Sequence, residues 1–193
     1  MGKKWLAILG SPRRRKNTEG LMDFYIEGLT ERGRTVEKIA LSEIVLNPCN
    51  GCGDCTKNNI CSYNDDISKI IDDIKDAEGI ILGSPSYNYN VTPYMKVFLD
   101  RLFSQFIFGN GSWSSQLDSK GVKVILIGAC AGPDSSSMGF TIEGMKRVMG
   151  DHGIEVIIEE CYLGSRRKPV EHNIDIKNDI KEKLGLIFKD SPK

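Results

Sequence analysis

Four of the six cysteines fall within thirteen residues, as Cys49-x2-Cys52-x2-Cys55-x5-Cys61, while Cys130 and Cys161 stand apart. The N-terminal stretch runs into Gly10-Ser11-Pro12-Arg13 without a small-residue cleavage site, so it is taken as a first strand and not a signal peptide. Crowded thiols in such a chain favour metal ligation in a reducing compartment over disulfides. Four thiolates this close can wrap one 4Fe–4S cubane, and the first three keep a spacing common among cubane ligands. Gly51 and Gly53 supply positive φ for tight turns and bring amides toward sulfur. Zinc more often uses two knuckles separated by a longer loop, and a metal-free cysteine loop is the other alternative.

A second constellation is Gly10-Ser11-Pro12-Arg13-Arg14-Arg15-Lys16-Asn17-Thr18. The hydroxyls of Ser11 and Thr18, the guanidinium of Arg13 and the first-turn amides beyond Asn17 together suit a phosphate monoester. No G-x-G-x-x-G is present, and a Walker loop would need a second glycine before its lysine. The alternative is a solvated basic turn in which Asn17 or Thr18 only caps a helix.

A third is Gly83-Ser84-Pro85-Ser86-Tyr87-Asn88-Tyr89-Asn90-Val91, with two aromatic rings, amide side chains and free backbone groups. Such a wall suits a flat conjugated ring such as flavin, with Pro85, Ser86, Tyr87, Asn88 and Tyr89 as the candidate contacts. Tyr89 and Tyr94 are each as well suited to packing on a neighbouring helix. The segment Ala129-Cys130-Ala131-Gly132 is small enough for backbone to approach such a ring, although Cys130 also fits as a buried small residue.

The elements that must position these groups are legible in the apolar pattern. Strand-length apolar runs at 5–9, 36–41, 79–83, 122–129 and 154–162 alternate with segments of helical period. A helix over 18–32 carries Leu21, Met22, Tyr25, Ile26 and Leu29 on one face and stops at Gly33. Asp65 or Asp66 can cap a helix bearing Ile67, Ile70, Ile71 and Ile74, and Thr92-Pro93 opens one bearing Met95, Phe98, Leu99 and Leu102. Helices over 141–152 and 175–189 complete the set, and residues 105–118, without clear period, read as a loop excursion. This is an α/β pattern: a flavodoxin-like doubly wound sheet of five parallel strands in the order 2-1-3-4-5, helices on both faces, forming a single domain over 1–193 with a cysteine loop at 47–63. Ligands in such sheets bind outside the carboxyl ends of the strands, which directs attention to the loops after strands one, three and four.

With Gly-Ser-Pro-Arg and Asn17-Thr18, then Gly83-Ser84-Pro85-x-Tyr87 and Lys96-x-Phe98-x-Asp100-Arg101, the chain resembles the NADPH-dependent FMN reductase superfamily over Lys4 to about Leu163. The cysteine run narrows the resemblance to the iron–sulfur flavoproteins. It implies non-covalent FMN, with phosphate near Ser11, Arg13, Asn17 and Thr18 and ring contacts from Pro85 to Tyr89. Lys16 departs from the family pattern, which usually has glycine there. The resemblance also implies homodimers or tetramers with each cluster facing a neighbour's flavin.

The composition, 40% apolar and 27% charged, is that of an ordinary globular protein, with no apolar run long enough to span a bilayer. Basic and acidic side chains balance at 26 each, so no overall field draws nucleic acid or anionic lipid, and a cytoplasmic location is expected. His152 and His172 lie outside the cofactor loops, and no hydrolytic triad is evident, so cofactors carry the chemistry. The favoured expectation is an electron-transfer flavoprotein passing electrons from a low-potential donor such as ferredoxin through the cluster to FMN and on to a small-molecule acceptor. One alternative is an NAD(P)H-dependent FMN, quinone or nitro reductase without a cluster, and another is a cysteine-based redox-sensing or metal-binding module. Helix three and residues 105–118, with Phe106, Phe108 and Trp113, are expected to form a subunit contact.

Overall fold

The computed structural model describes residues 4–109 and 111–188. In chain order its elements are β1 (Lys4–Leu9), α1 (Asn17–Glu31), β2 (Thr35–Ala40), α2 (Cys55–Asn58), α3 (Asp66–Lys75), β3 (Gly79–Pro85), α4 (Pro93–Arg101), β4 (Phe106–Gly109), β5 (Ser112–Ser115), β6 (Lys123–Ala129), α5 (Thr141–Asp151), β7 (Glu155–Tyr162) and α6 (Ile174–Ile187). The five long strands form one parallel sheet in the order β2-β1-β3-β6-β7, the expected topology.

Alternation along each central strand sends side chains to two buried faces. Leu6 and Ile8 of β1, Ile80 and Leu82 of β3, and Val124 and Leu126 of β6 pack under α3, α4 and α5. Trp5, Ala7, Ile81, Ile125 and Ile127 face the other way, against Leu21, Met22 and Tyr25 of α1 and Ile180 and Leu184 of α6. Both faces are covered, so the carboxyl edge of the sheet is left as the place where loops gather.

Two local expectations are corrected. Residues 105–118 are not an irregular excursion: β4 and β5 pair antiparallel, with Phe106 opposite Ser115 and Phe108 opposite Trp113. Each strand has four residues, and one is mostly serine, too little for an alternating pattern to show. The cap of α3 also differs. Asp65 occupies the N-cap position, yet its side chain bonds no amide of its own helix, because it faces Arg101 instead. The cap at Thr92 is as expected, its hydroxyl accepting from the Met95 N–H at 3.2 Å.

Candidate functional site

The loops at the carboxyl edge are tied into one surface. Gly10 N–H donates to Gly83 O at 2.7 Å, and Thr92 Oγ1 donates to Gly10 O at 2.6 Å, joining the loops after β1 and β3 to the start of α4. Ser86 N–H donates to Ala129 O, and the Ser86 hydroxyl donates to the carbonyls of Ser137 and Met138, so the loops after β3 and β6 are held together. Beyond β7, Ser165 N–H donates to Cys130 O and Gly164 N–H to Gly132 O. The candidate residues from three separate loops therefore share one rim.

Within the first loop the adjacent arginines have different duties. Arg14 makes two hydrogen bonds to the Glu19 carboxylate, which Lys38 and the Arg15 N–H also engage. The Arg14 bonds hold the Glu19 carboxyl down at about 2 against the cost of its burial. Arg13, by contrast, is exposed and has no ion pair among the described residues. Lys16 stands at the N-cap of α1 without a side-chain cap, so the first-turn amides of that helix are left without a capping side chain. Ser11 is buried and its hydroxyl closes a tight turn with the backbone of Arg13 at 3.2 Å. Thr18 is buried in the first turn of α1, its hydroxyl unengaged by described residues. The left-handed residue of the loop is Arg15, φ 54°, whereas Lys16 is extended at φ −118°, so a side chain at 16 costs the backbone nothing. Asn17 has a different main task from the one expected. Its amide donates to Ser165 O at 3.2 Å and accepts from Val170 N–H at 2.9 Å, clasping the loop after β7.

The loop after β3 turns back on itself. Tyr87 and Asn90 exchange backbone hydrogen bonds, and the central residues Asn88 and Tyr89 both have positive φ, 46° and 67°. Its backbone is thus less free than the sequence suggested, and a bulky residue in the left-handed region is costly unless its surroundings hold it. Phe140 N–H supplies that hold, donating to Tyr89 O at 2.6 Å. Tyr87, Tyr89 and Phe140 are all exposed, a cluster of rings at the rim of which Phe140 was not anticipated. Pro85 is buried at the end of β3, paired with Ala129. Cys130 is buried, its backbone spent on Tyr162 and Ser165, its thiol on Gly132 O and pushed up by burial. Gly132 is small for a local reason: a Cβ there would lie 2.0 Å from Ser137 Oγ, so the close approach is by its own loop.

The cysteine loop lies at the other end of α4. Cys49, Cys52, Cys55 and Cys61 line one small pocket with Gly53, Ser62 and Tyr63. Gly51 and Gly53 have φ of 73° and 77°, the left-handed turns expected of them. Burial pushes the Cys55 thiol up, and the nearby thiols of Cys61, Cys49 and Cys52 add to it. Among the described residues, no group of three or more His, Cys, Asp or Glu is gathered to hold a metal ion. Arg101, fully buried, grips the loop where it leaves and where it returns: Nη1 donates to Asn47 O at 2.9 Å, and the two Nη atoms donate to the Asp65 carboxylate at 2.7 and 3.0 Å. Burial alone would raise the Asp65 carboxyl, but the bonds from Arg101 and Asn47 hold it at about 2. The sequence offered Arg101 only as part of a motif; its partners lie 36 and 54 residues away.

A parallel sheet in this order, with helices on both faces, defines the flavodoxin-like class of folds. The model of the NADPH-dependent FMN reductase family matches residues 3–139, and the chain belongs to that family. It is 37% identical over 99 residues, 51% of this chain and 45% of the other, to an iron–sulfur flavoprotein of Archaeoglobus fulgidus. The chain spans about half the length of the curated relatives it matches. Among solved structures its fold is similar to an FMN-dependent NADH-azoreductase of Bacillus anthracis bound to FMN, at TM-score 0.75 and 15% identity, covering 98% of this chain and 100% of that one. It is similar also to an NAD(P)H:quinone oxidoreductase of Methanothermobacter marburgensis, at TM-score 0.72 and 14% identity, covering 94% and 97%. Among the described residues, no helix is long and apolar enough to cross a membrane.

Proposed function

We propose that the carboxyl edge holds FMN and that the chain is a reductase moving electrons between NAD(P)H and a small-molecule acceptor such as a quinone, nitro or azo compound. The observation that carries this reading is the uncapped N-terminus of α1 with Arg13 and the Thr18 hydroxyl, donors that no anion among the described residues engages, since the Glu19 carboxylate of the same turn is taken up by Arg14, Arg15 N–H and Lys38. A phosphate monoester satisfies all of them, which fits FMN and not riboflavin. Tyr87, Tyr89, Phe140 and the Ser86 to Ala129 backbone would border the ring. Bound flavin supplies two-electron acceptance from a nicotinamide and one- or two-electron release. The chain's own residues bind, orient and shield; none is required to carry a proton. The solved neighbours named for azo and quinone reduction support the acceptor class. Anaerobic mixing of FMN-loaded protein with NADH or NADPH tests it. Bleaching of the flavin and its reoxidation by a quinone are expected, and a flavin inert to both nicotinamides would reject the reading.

A second reading adds a 4Fe–4S cluster fed by a ferredoxin-like one-electron donor. It is favoured by four thiols lining one pocket and by a buried donor without a partner, Nε–H of the Arg101 that grips the ends of the loop. The relatives named iron–sulfur flavoproteins support it. Cys49, Cys52, Cys55 and Cys61 would hold the cluster through their thiolates, and it would supply one-electron transfer. Replacing Cys55 by alanine should abolish iron retention and fast flavin reduction by ferredoxin, with FMN content preserved. Unchanged donor-driven rates in an iron-free Cys55→Ala protein would leave the first reading alone standing.

A further inference from the structure

The guanidinium of Arg101 has five N–H bonds and is sealed from solvent. Nη1 serves Asn47 O and Asp65 Oδ2; Nη2 serves Asp65 Oδ1 and, at 3.3 Å, Ser68 Oγ. The ring of Tyr63 lies 5.1 Å from its centre. Nε is buried without a hydrogen-bond partner, although an unmet buried donor is costly. The group beside the guanidinium on the cysteine loop is Cys61. A neutral thiol is a poor acceptor, whereas a thiolate bound to iron is anionic and accepts well.

We propose that Arg101 is a positioning residue for the cysteine centre: its Nη fork closes the loop through Asn47 and Asp65, and its Nε–H is reserved for the cluster-bound sulfur of Cys61. This rests on the second reading above. The two duties are separable. The fork fixes where the loop begins and ends, so it governs whether the four thiols stay assembled. The Nε–H bond strengthens as a cluster gains an electron and its sulfurs become more negative, so it raises the midpoint potential.

The test uses the full chain, reconstituted anaerobically with iron and sulfide. Wild type, Arg101→Lys and Arg101→Gln are compared for iron and sulfide per chain, FMN content and midpoint potential by dithionite titration. Lysine keeps a cation for Asp65 but has no Nε–H for Cys61. Arg101→Lys should therefore retain most of the iron with a lowered cluster potential, while Arg101→Gln should lose most of its iron. FMN content near wild type shows that each variant is folded, and the lysine variant carries the test if the glutamine variant is not. Iron-loaded Arg101→Lys with wild-type potential would overturn the assignment of Nε while leaving the cluster reading intact. Wild type that takes up no iron or sulfide would overturn both.

Discussion

Arg13 and Arg14 are neighbours of identical chemistry with different fates. Arg14 is consumed by Glu19, whereas Arg13 is exposed and its guanidinium has no partner among the described residues. If FMN phosphate is the missing partner, Arg13→Ala should weaken FMN by roughly 1.5–3 kcal/mol, the range for charge-assisted hydrogen bonds, and leave riboflavin affinity unchanged. Arg14→Ala should leave the ratio of FMN to riboflavin affinity where it was, since its target is inside the protein. Titration calorimetry with both flavins checks this, and equal losses for the two arginines would remove the assignment. Single residues of this kind are only half legible in a sequence. Ser11, Arg13 and Thr18 fall where the strand-loop-helix pattern places them, because the loop is local. Asn17 falls there too, yet its amide is spent on Ser165 and Val170, about 150 residues away, and nothing in its neighbourhood announces them.

At the scale of elements, the long strands and amphipathic helices could be read directly, since each buries a face with its own period. The hairpin could not. Beside the edge-on contact of Trp113 with Phe106 at 4.5 Å within it, the hairpin is anchored from outside: Phe106 stacks on His152 at 4.2 Å and 8° between planes, and Ser115 Oγ lies 2.8 Å from His152 Nδ1. Leu117 N–H donates to the same hydroxyl at 3.1 Å, so the serine oxygen ties His152 to the backbone just past β5. Burial lowers the His152 pKa to about 4, so the folded protein resists the proton that the unfolded chain accepts below about 6.5. The sign follows: stability is full near neutrality and falls as pH drops from about 6.5 to 4, by up to about 3 kcal/mol. Denaturant melts of wild type and His152→Gln at several pH values should show a flatter profile for the variant over that window. Asp65 teaches the complementary lesson. It sits where a cap belongs, and only the fold reveals that a buried arginine claims its carboxylate first.

For the molecule as a whole, the hairpin divides the aromatic residues expected at a subunit contact. Phe106 is turned inward, while Phe108 and Trp113, with Phe103 and Ile107 beside them, remain exposed. Apolar rings gathered on one surface favour association, and sedimentation equilibrium should show self-association at micromolar concentration, reduced by Phe108→Ser with Trp113→Ser. A monomer at all concentrations would dismiss that surface. The cysteine loop has a different global standing. Asn47 N–H donates to Asp65 Oδ2 at 3.0 Å and Val45 N–H to Asp66 Oδ2 at 2.8 Å, so the chain comes back to the point from which it departed. Topologically the segment is a detachable insert: the sheet neither routes through it nor depends on it for register. Excising residues 48–64 and joining Asn47 to Asp65 by a short turn should give a chain that still folds and binds FMN, with roughly 1–2 kcal/mol less closure entropy to overcome. Measured by flavin titration, retained affinity would identify the loop as a graft that a flavin fold can gain or shed as one unit, its ends gripped by a buried arginine and its body touched by the Ser68 hydroxyl at Tyr63 O and the Gln116 amide at Asn59 O.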